Sequence, residues 1–237
     1  MPRPTWFRHF FYKKEVLKST WKLRMVLAGV FLLITVPTRS LWTPSVGNSL
    51  TCEEQVRSAD AILVDDFDRN YLLFERAAAL YNARRSSRVL ILVPTLAVPT
   101  DDGRIIDGAI ADFMIRIAHL KTTESVLVQE VEPISLNAAV QVRDYLMKEG
   151  IKSIMVVTSG FRAKRALLIY DEVLGRIGIA VSCVPVFGTI TPETWTHTWH
   201  GIQEVGLQFL KLQYYRFYVL PFEWRARRQS TRGDVAE

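Results

Sequence analysis

Only two cysteines, Cys52 and Cys183, occur in the 237 residues, which leaves no room for a disulfide-dense mini-protein or a cysteine-ligated metal domain. They fit no metal or redox spacing; they either pair or both stay free, and the reading leans towards two free thiols. Twelve glycines and ten prolines, in a chain 49% hydrophobic and 23% charged, exclude a collagenous or largely disordered polypeptide. Glycine-rich phosphate loops are missing as well, with neither G-x-x-x-x-G-K-[ST] nor G-x-G-x-x-G present. The G-x-S-x-G turn that raises a serine nucleophile is also absent, which argues against a hydrolase triad.

A broad positive field is lacking too, although the formal net charge is +6. Residues 1–24 hold seven Lys/Arg (Arg3, Arg8, Lys13, Lys14, Lys18, Lys22 and Arg24) against Glu15 alone, and the remainder carries 23 basic and 23 acidic side chains. No nucleic-acid partner is therefore expected, because counterion release needs a basic surface on the folded part.

Directly after the basic stretch comes the uncharged run Met25–Val36. Extended through Pro37 and Arg39 to Trp42, it predicts a helix over 25–42 of roughly 27 Å, close to a hydrocarbon core of roughly 30 Å. Trp21 and Trp42 would lie at the two interfaces, and Arg39 near the end can snorkel. A cleavable signal peptide is the competing reading, but Val36-Pro-Thr-Arg-Ser40 offers no small-x-small cleavage site. With the basic excess wholly before the span, the positive-inside rule puts residues 1–24 in the cytoplasm and the rest outside, on the periplasmic face of a bacterial inner membrane. The expected organisation is a basic segment over 1–24, an anchor over 25–42, a linker over 43–58, a domain over 59–218 and a basic tail over 219–237.

From residue 59 short β-branched runs alternate with stretches of helical periodicity, the pattern of βα units around a parallel sheet. Strands are expected at 61–65, 88–93, 125–129, 153–158 and 179–184, and helices near 69–84, 104–120, 135–149, 161–177 and 194–218. The fold class is α/β: a Rossmann-like parallel five-stranded sheet with helices on both faces, preceded by one N-terminal transmembrane helix. Ligands of such sheets bind at the carboxyl ends of the strands.

Three groups of residues fall at those ends. Asp65, Asp66 and Asp68 follow the first strand; such carboxylates can hold Mg²⁺ or Mn²⁺, and Asp68 is equally placed to cap the next helix. Glu132, Ser135 and Asn137 open the helix after the third strand. Thr158, Ser159, Gly160, Arg162, Lys164 and Arg165 follow the fourth, where hydroxyls, a glycine and cations at a helix start suit an anion, unless Ser159 simply caps the helix. His197 and His200, beside Trp195 and Trp199, read as packing or interface groups more than as metal ligands. The helix carrying Phe209, Leu212, Tyr215 and Phe217 is expected to bury a stripe against the sheet, although Tyr214–Trp224 also has the aromatic and basic composition of a segment that can touch a bilayer. No cofactor and no reaction class follows from these residues.

Several stretches resemble the SanA/ElyC/YdcF family of bacterial envelope proteins, over about residues 59–218. Asp60-Ala-Ile-Leu-Val64 is similar to that family's opening strand and Glu75-Arg76-Ala-Ala-Ala-Leu80-Tyr81 to its Arg-Ala…Leu-Tyr helix. Glu132…Ser135-x-Asn137 is similar to its Glu…Ser-x-Asn-Thr-x-Glu-Asn signature, Thr158-Ser159…Arg165-Ala166 to its Thr-Ser-x-x-His…Arg-Ala signature, and Trp199…Glu204…Lys211 to its closing helix. The chain departs from the family where Asp65-Asp66-Phe67 replaces a Gly-rich turn, Val93-Pro94-Thr95 replaces Ser-Gly-Gly, and Ala138, Val140, Gln141 and Arg162 replace a Thr, a Glu, an Asn and a His. The resemblance implies a divergent member in cell-wall or exopolysaccharide assembly that binds an anionic, lipid-linked or nucleotide-like ligand. Its partners would be the membrane and envelope-assembly membrane proteins. Competing readings are a non-catalytic docking module using the aromatic last helix, and a metal-dependent transferase using Asp65, Asp66 and Asp68.

Overall fold

The structure, a computed structural model, describes residues 20–65, 70–95 and 101–224, with the backbone alone at Ser40, 101–108 and Glu223. It divides into two units, Met1–Trp42 and Thr43–Glu237.

In the first unit, helix α1 (Trp21–Thr35) starts where the Thr20 hydroxyl accepts the Leu23 N–H. Its 15 residues bury no side chain, and from Met25 onward they carry no charge. The single helix expected over 25–42 is not what forms. Pro37 has no N–H to donate and a turn interrupts the ladder at 36–38, before α2 (Arg39–Ser49) begins. Side chains add hydrogen bonds to carbonyls around the break: Thr35 Oγ1 donates to Phe31 O at 2.8 Å, Thr38 Oγ1 to Ile34 O at 2.6 Å, and Trp42 Nε1 to Thr35 O at 3.2 Å, the last replacing the Arg39 N–H that turns to Val36 O. Among the described residues no helix is long and apolar enough to cross a membrane.

The second unit is an α/β sandwich. Its strands are β1 (Ala61–Val64), β2 (Arg88–Thr95), β3 (Thr123–Gln129), β4 (Ser153–Ser159) and β5 (Ala180–Val186), all parallel, in the order β3-β2-β1-β4-β5. The central strands read as unbroken apolar runs because both of their faces are covered, unlike the alternation of a half-solvated sheet. Ala61 and Leu63 pack with helices α5 (Ile134–Lys148) and α6 (Ala163–Leu174) through Leu136, Val142, Ile169 and Val173. Ile62 and Val64 pack on the other face with α3 (Tyr71–Asn82) and α4 (Asp101–Ile117) through Leu73, Phe74, Ala77 and Ala111. Asn70 caps α3, its Oδ1 accepting the Leu72 N–H at 3.0 Å, in the role expected of Asp68, which lies outside the described residues. On the edge strand β3, Gln141 takes both backbone groups of Gln129, which closes part of an open ladder.

Both ends of the domain differ from expectation. Residues 43–58 are not a free linker: Leu50 and Cys52 are buried, Leu50 O accepts the Lys164 N–H, and Gln55 N–H donates to Cys183 O. Cys52 and Cys183 form a disulfide, against the expectation of free thiols, because this strap lays position 52 directly on β5. At the other end, α7 (Trp199–Tyr214) runs on without a break into wider π-type turns over Tyr215–Trp224. Their looser winding keeps Tyr215, Val219 and Trp224 on one face, packed into the α5/α6 core, so the domain continues past 218. The Arg-rich segment after Trp224 lies outside the described residues. Gly201 is required where α7 meets the Trp195–His197 turn, since a Cβ there would come 2.2 Å from the Trp195 carbonyl oxygen.

The disulfide closes a long loop, with 131 residues of sequence separation, and a native bridge typically contributes about 2–4 kcal/mol. Replacing Cys183 with Ser should lower the calorimetric Tm by roughly 5–10 °C, at about 2–4 °C per kcal/mol for a domain of this size.

At the amino ends of β1 and β4 the Asp60 carboxylate accepts the Lys152 and Ser153 N–H groups, each at 2.9 Å. These bonds, the Lys152 one first, hold its carboxyl below the ordinary value. A depressed folded pKa contributes stability that is present above the unfolded carboxylate pKa of about 3.9 and is lost as pH falls through the folded value. Urea titrations between pH 5 and pH 2 should therefore show a shallower acid loss for Asp60→Asn than for the wild type.

Candidate functional site

The strand order reverses direction between β1 and β4, and a parallel sheet opens a crevice at such a point, beyond the carboxyl ends of the strands. Asp65 ends β1 and Thr158 lies near the end of β4, both buried. Thr158 Oγ1 donates to Asp65 Oδ2 at 3.0 Å, and Arg162 Nη2 donates to Asp65 Oδ1 at 3.4 Å. Arg162 closes the 3₁₀ turn Gly160–Arg162 that leads into α6. It is only 5% exposed and Arg165 only 6%, so these cations turn inward; Lys164 between them is exposed.

Arg162, Arg165, Ala166, Ile169 and Tyr170 follow the i, i+3, i+4, i+7, i+8 spacing of one helix face and, with Asp65 and Ser135, line a cavity of about 10 Å³. That is the room of a single water. Two guanidiniums and one carboxylate therefore meet around a very small space. Arg165 lies against the Tyr215 ring, 5.6 Å from its centroid, and the Tyr215 hydroxyl accepts the Ser135 N–H at 3.0 Å, which docks the end of α7 onto the start of α5. Burial pushes the Tyr170 phenol well up, and the charge on Asp65 pushes it further, so Tyr170 stays protonated at neutral pH.

A second crevice of about 160 Å³ adjoins the ends of β4 and β5, with Asn70, Ser159, Gly160, Phe187 and Glu204 among its walls. Ser159 makes no side-chain capping bond to the helix that follows. A Cβ on Gly160 would come 2.1 Å from the Phe187 ring, so this turn needs glycine. The helix start is less open to an anion than its sequence implied, because the Lys164 N–H is already given to Leu50 O.

Of the expected site residues, Asp65, Ser135, Thr158, Arg162 and Arg165 come together, while Ser159 faces the second crevice. Asn137 and Glu132 serve the local backbone: Asn137 Nδ2 donates to Val131 O at 2.8 Å, and Glu132 Oε2 accepts the Ile134 N–H at 3.3 Å. Asp66 and Asp68 lie outside the described residues, and among the described residues no group of three His, Cys, Asp or Glu could hold a metal. His197 and His200 are exposed. Sequence reasoning missed Tyr170 and Asn70, and placed Tyr215 on the buried stripe of the last helix without joining it to these residues. Tyr170 was within reach, since it shares the helix face of the two arginines; Asn70 and Tyr215 arrive from distant elements. No family model, curated protein or solved structure matches the chain.

Removing one member of a buried ion pair strands the other charge. Asp65→Ala should cost about 3–5 kcal/mol in urea denaturation, and the double variant Asp65→Ala/Arg162→Met should recover much of that loss.

Proposed function

We propose that this chain is a membrane-anchored protein of the bacterial envelope whose α/β domain lies on the extracytoplasmic side and binds an anionic ligand, lipid-linked or nucleotide-like, in cell-wall or exopolysaccharide assembly. The observation that carries the reading is the inward placement of Arg162 and Arg165 beside Ser135 at the point where the sheet changes direction. Arg165 and Ser135 line the cavity beside the Asp65–Arg162 pair and are the groups that would meet the ligand. The room beside them fits one water, so a ligand would need the cavity to widen.

Three features support the location. The uncharged part of α1, Met25–Thr35, follows the seven cations of residues 1–24 and buries no side chain. Thr and Trp side chains add hydrogen bonds to three of the carbonyls around Pro37, which suits backbone in an apolar setting. The Cys52–Cys183 disulfide suits an oxidising compartment. The envelope-assembly role itself rests on the resemblance to the SanA/ElyC/YdcF family.

Thermal unfolding of the full chain in detergent, with polyprenyl phosphates and sugar nucleotides as probes, tests the reading. A probe at about 100 times its Kd should add roughly 2.7 kcal/mol, a rise in Tm of about 5–10 °C. Arg165→Gln and Ser135→Ala should each diminish that rise while keeping a cooperative melt of their own. A flat response to every anion removes the ligand-binding reading.

A further inference from the structure

The helix α7 and its π-type continuation present two unlike faces. Gly201, Val205, Leu212, Tyr215 and Val219 are buried. On the opposite side Trp199, Leu210, Phe217 and Phe222 are 65–71% exposed, at positions that recur with helical spacing. Tyr214 and Tyr218 stack on this outer surface with ring centroids 5.5 Å apart. An apolar stripe of this length on water-facing helix is unusual unless something covers it.

The charges identify the cover. Over residues 199–224 the carboxylates are Glu204, which lines the inner crevice, and Glu223 near the end. Lys211 and Arg216 are exposed beside the stripe, with Arg216 over the Phe217 ring at 5.7 Å, and Arg225, Arg227, Arg228 and Arg232 follow in the sequence. Trp, Tyr and Phe rimmed by Arg and Lys match the boundary between acyl chains and anionic headgroups. A second copy of the chain would bring like charge against like.

The attachment point agrees. The second unit begins at Thr43, and the Thr43 carbonyl accepts the Trp195 Nε1–H at 2.9 Å, four residues before the stripe starts. The aromatic helix therefore leaves from the place where the chain enters the domain. A tether there raises the effective concentration of the stripe at the surface to which α1 is anchored.

We infer that the outer face of residues 199–222 lies in the interface of a bilayer containing anionic phospholipid, so that the domain rests on the membrane through its last helix instead of hanging free on its tether. This uses the anchored reading only for the tether; the composition and exposure of the stripe stand without it.

The test uses the full chain in vesicles of phosphatidylcholine and phosphatidylglycerol, with a polarity-sensitive fluorophore on Leu210→Cys or, at the amino end of edge strand β3, on Lys121→Cys. The native disulfide keeps Cys52 and Cys183 from the label. Brominated acyl chains should quench the Leu210→Cys probe several-fold more than the Lys121→Cys probe, and adding Phe217→Glu, at an exposed site that folding does not need, should erase the difference. Equal quenching at both positions overturns the inference. So does shielding of the Leu210→Cys probe from aqueous iodide without quenching from lipid, because a protein would then cover the face. Alkaline extraction of the same vesicles reads the α1 anchor separately: a released chain whose probe had been quenched upholds the stripe and removes the anchor, and a retained chain with an unquenched probe does the reverse.

Discussion

The pairing of β1 with β4 is the constraint on which the site depends. Each residue from Ala61 to Val64 sits opposite one from Ile154 to Val157, and that register brings Asp65 to the level of Thr158. Because the chain goes one way from β1 to β2 and β3 and the other way to β4 and β5, the loops beyond these two strands diverge and leave a gap above the sheet. Asp65, Thr158 and Arg162 fill the floor of that gap with one neutralised ion pair. A lone carboxylate there would be costly to bury, and so would a lone guanidinium; together, with the threonine hydroxyl, each satisfies the other.

Around that floor the structure adds two covers from opposite ends of the chain. Residues 50–55 run across the start of α6 and are held by the disulfide and by backbone bonds to Lys164 and Cys183. The inner side of α7 supplies Glu204 to the second crevice, and its continuation lays Tyr215 on Arg165. The same helix that walls the site thus carries the aromatic stripe on its back. Any motion that lifts α7 changes both surfaces at once, a coupling through one rigid element.

Much of the fold was legible because the burial of each central strand on both faces writes a continuous apolar run, and all five strands lie within a few residues of where such runs occur. Boundaries slipped where a local bond decided them: Asn70 took the cap expected of Asp68, and Pro37 broke the helix expected to continue to Trp42. The site was half legible. Position at strand ends picked out Asp65, Ser135, Thr158, Arg162 and Arg165. The same logic could not show that Asn137 would be spent on Val131 O, or that Arg162 and Arg165 would turn inward while Lys164 stayed outside.

By itself the sequence determined the α/β class, the order of its elements and the concentration of charge before one apolar helix, since these follow from local patterning of apolar and charged residues. Tertiary structure alone decided that Cys52 meets Cys183, that Asp65 meets Arg162 and that Tyr215 rests on Arg165, because each joins residues between 50 and 131 positions apart. Contacts at that range are set by strand order and helix docking, and no local periodicity encodes them.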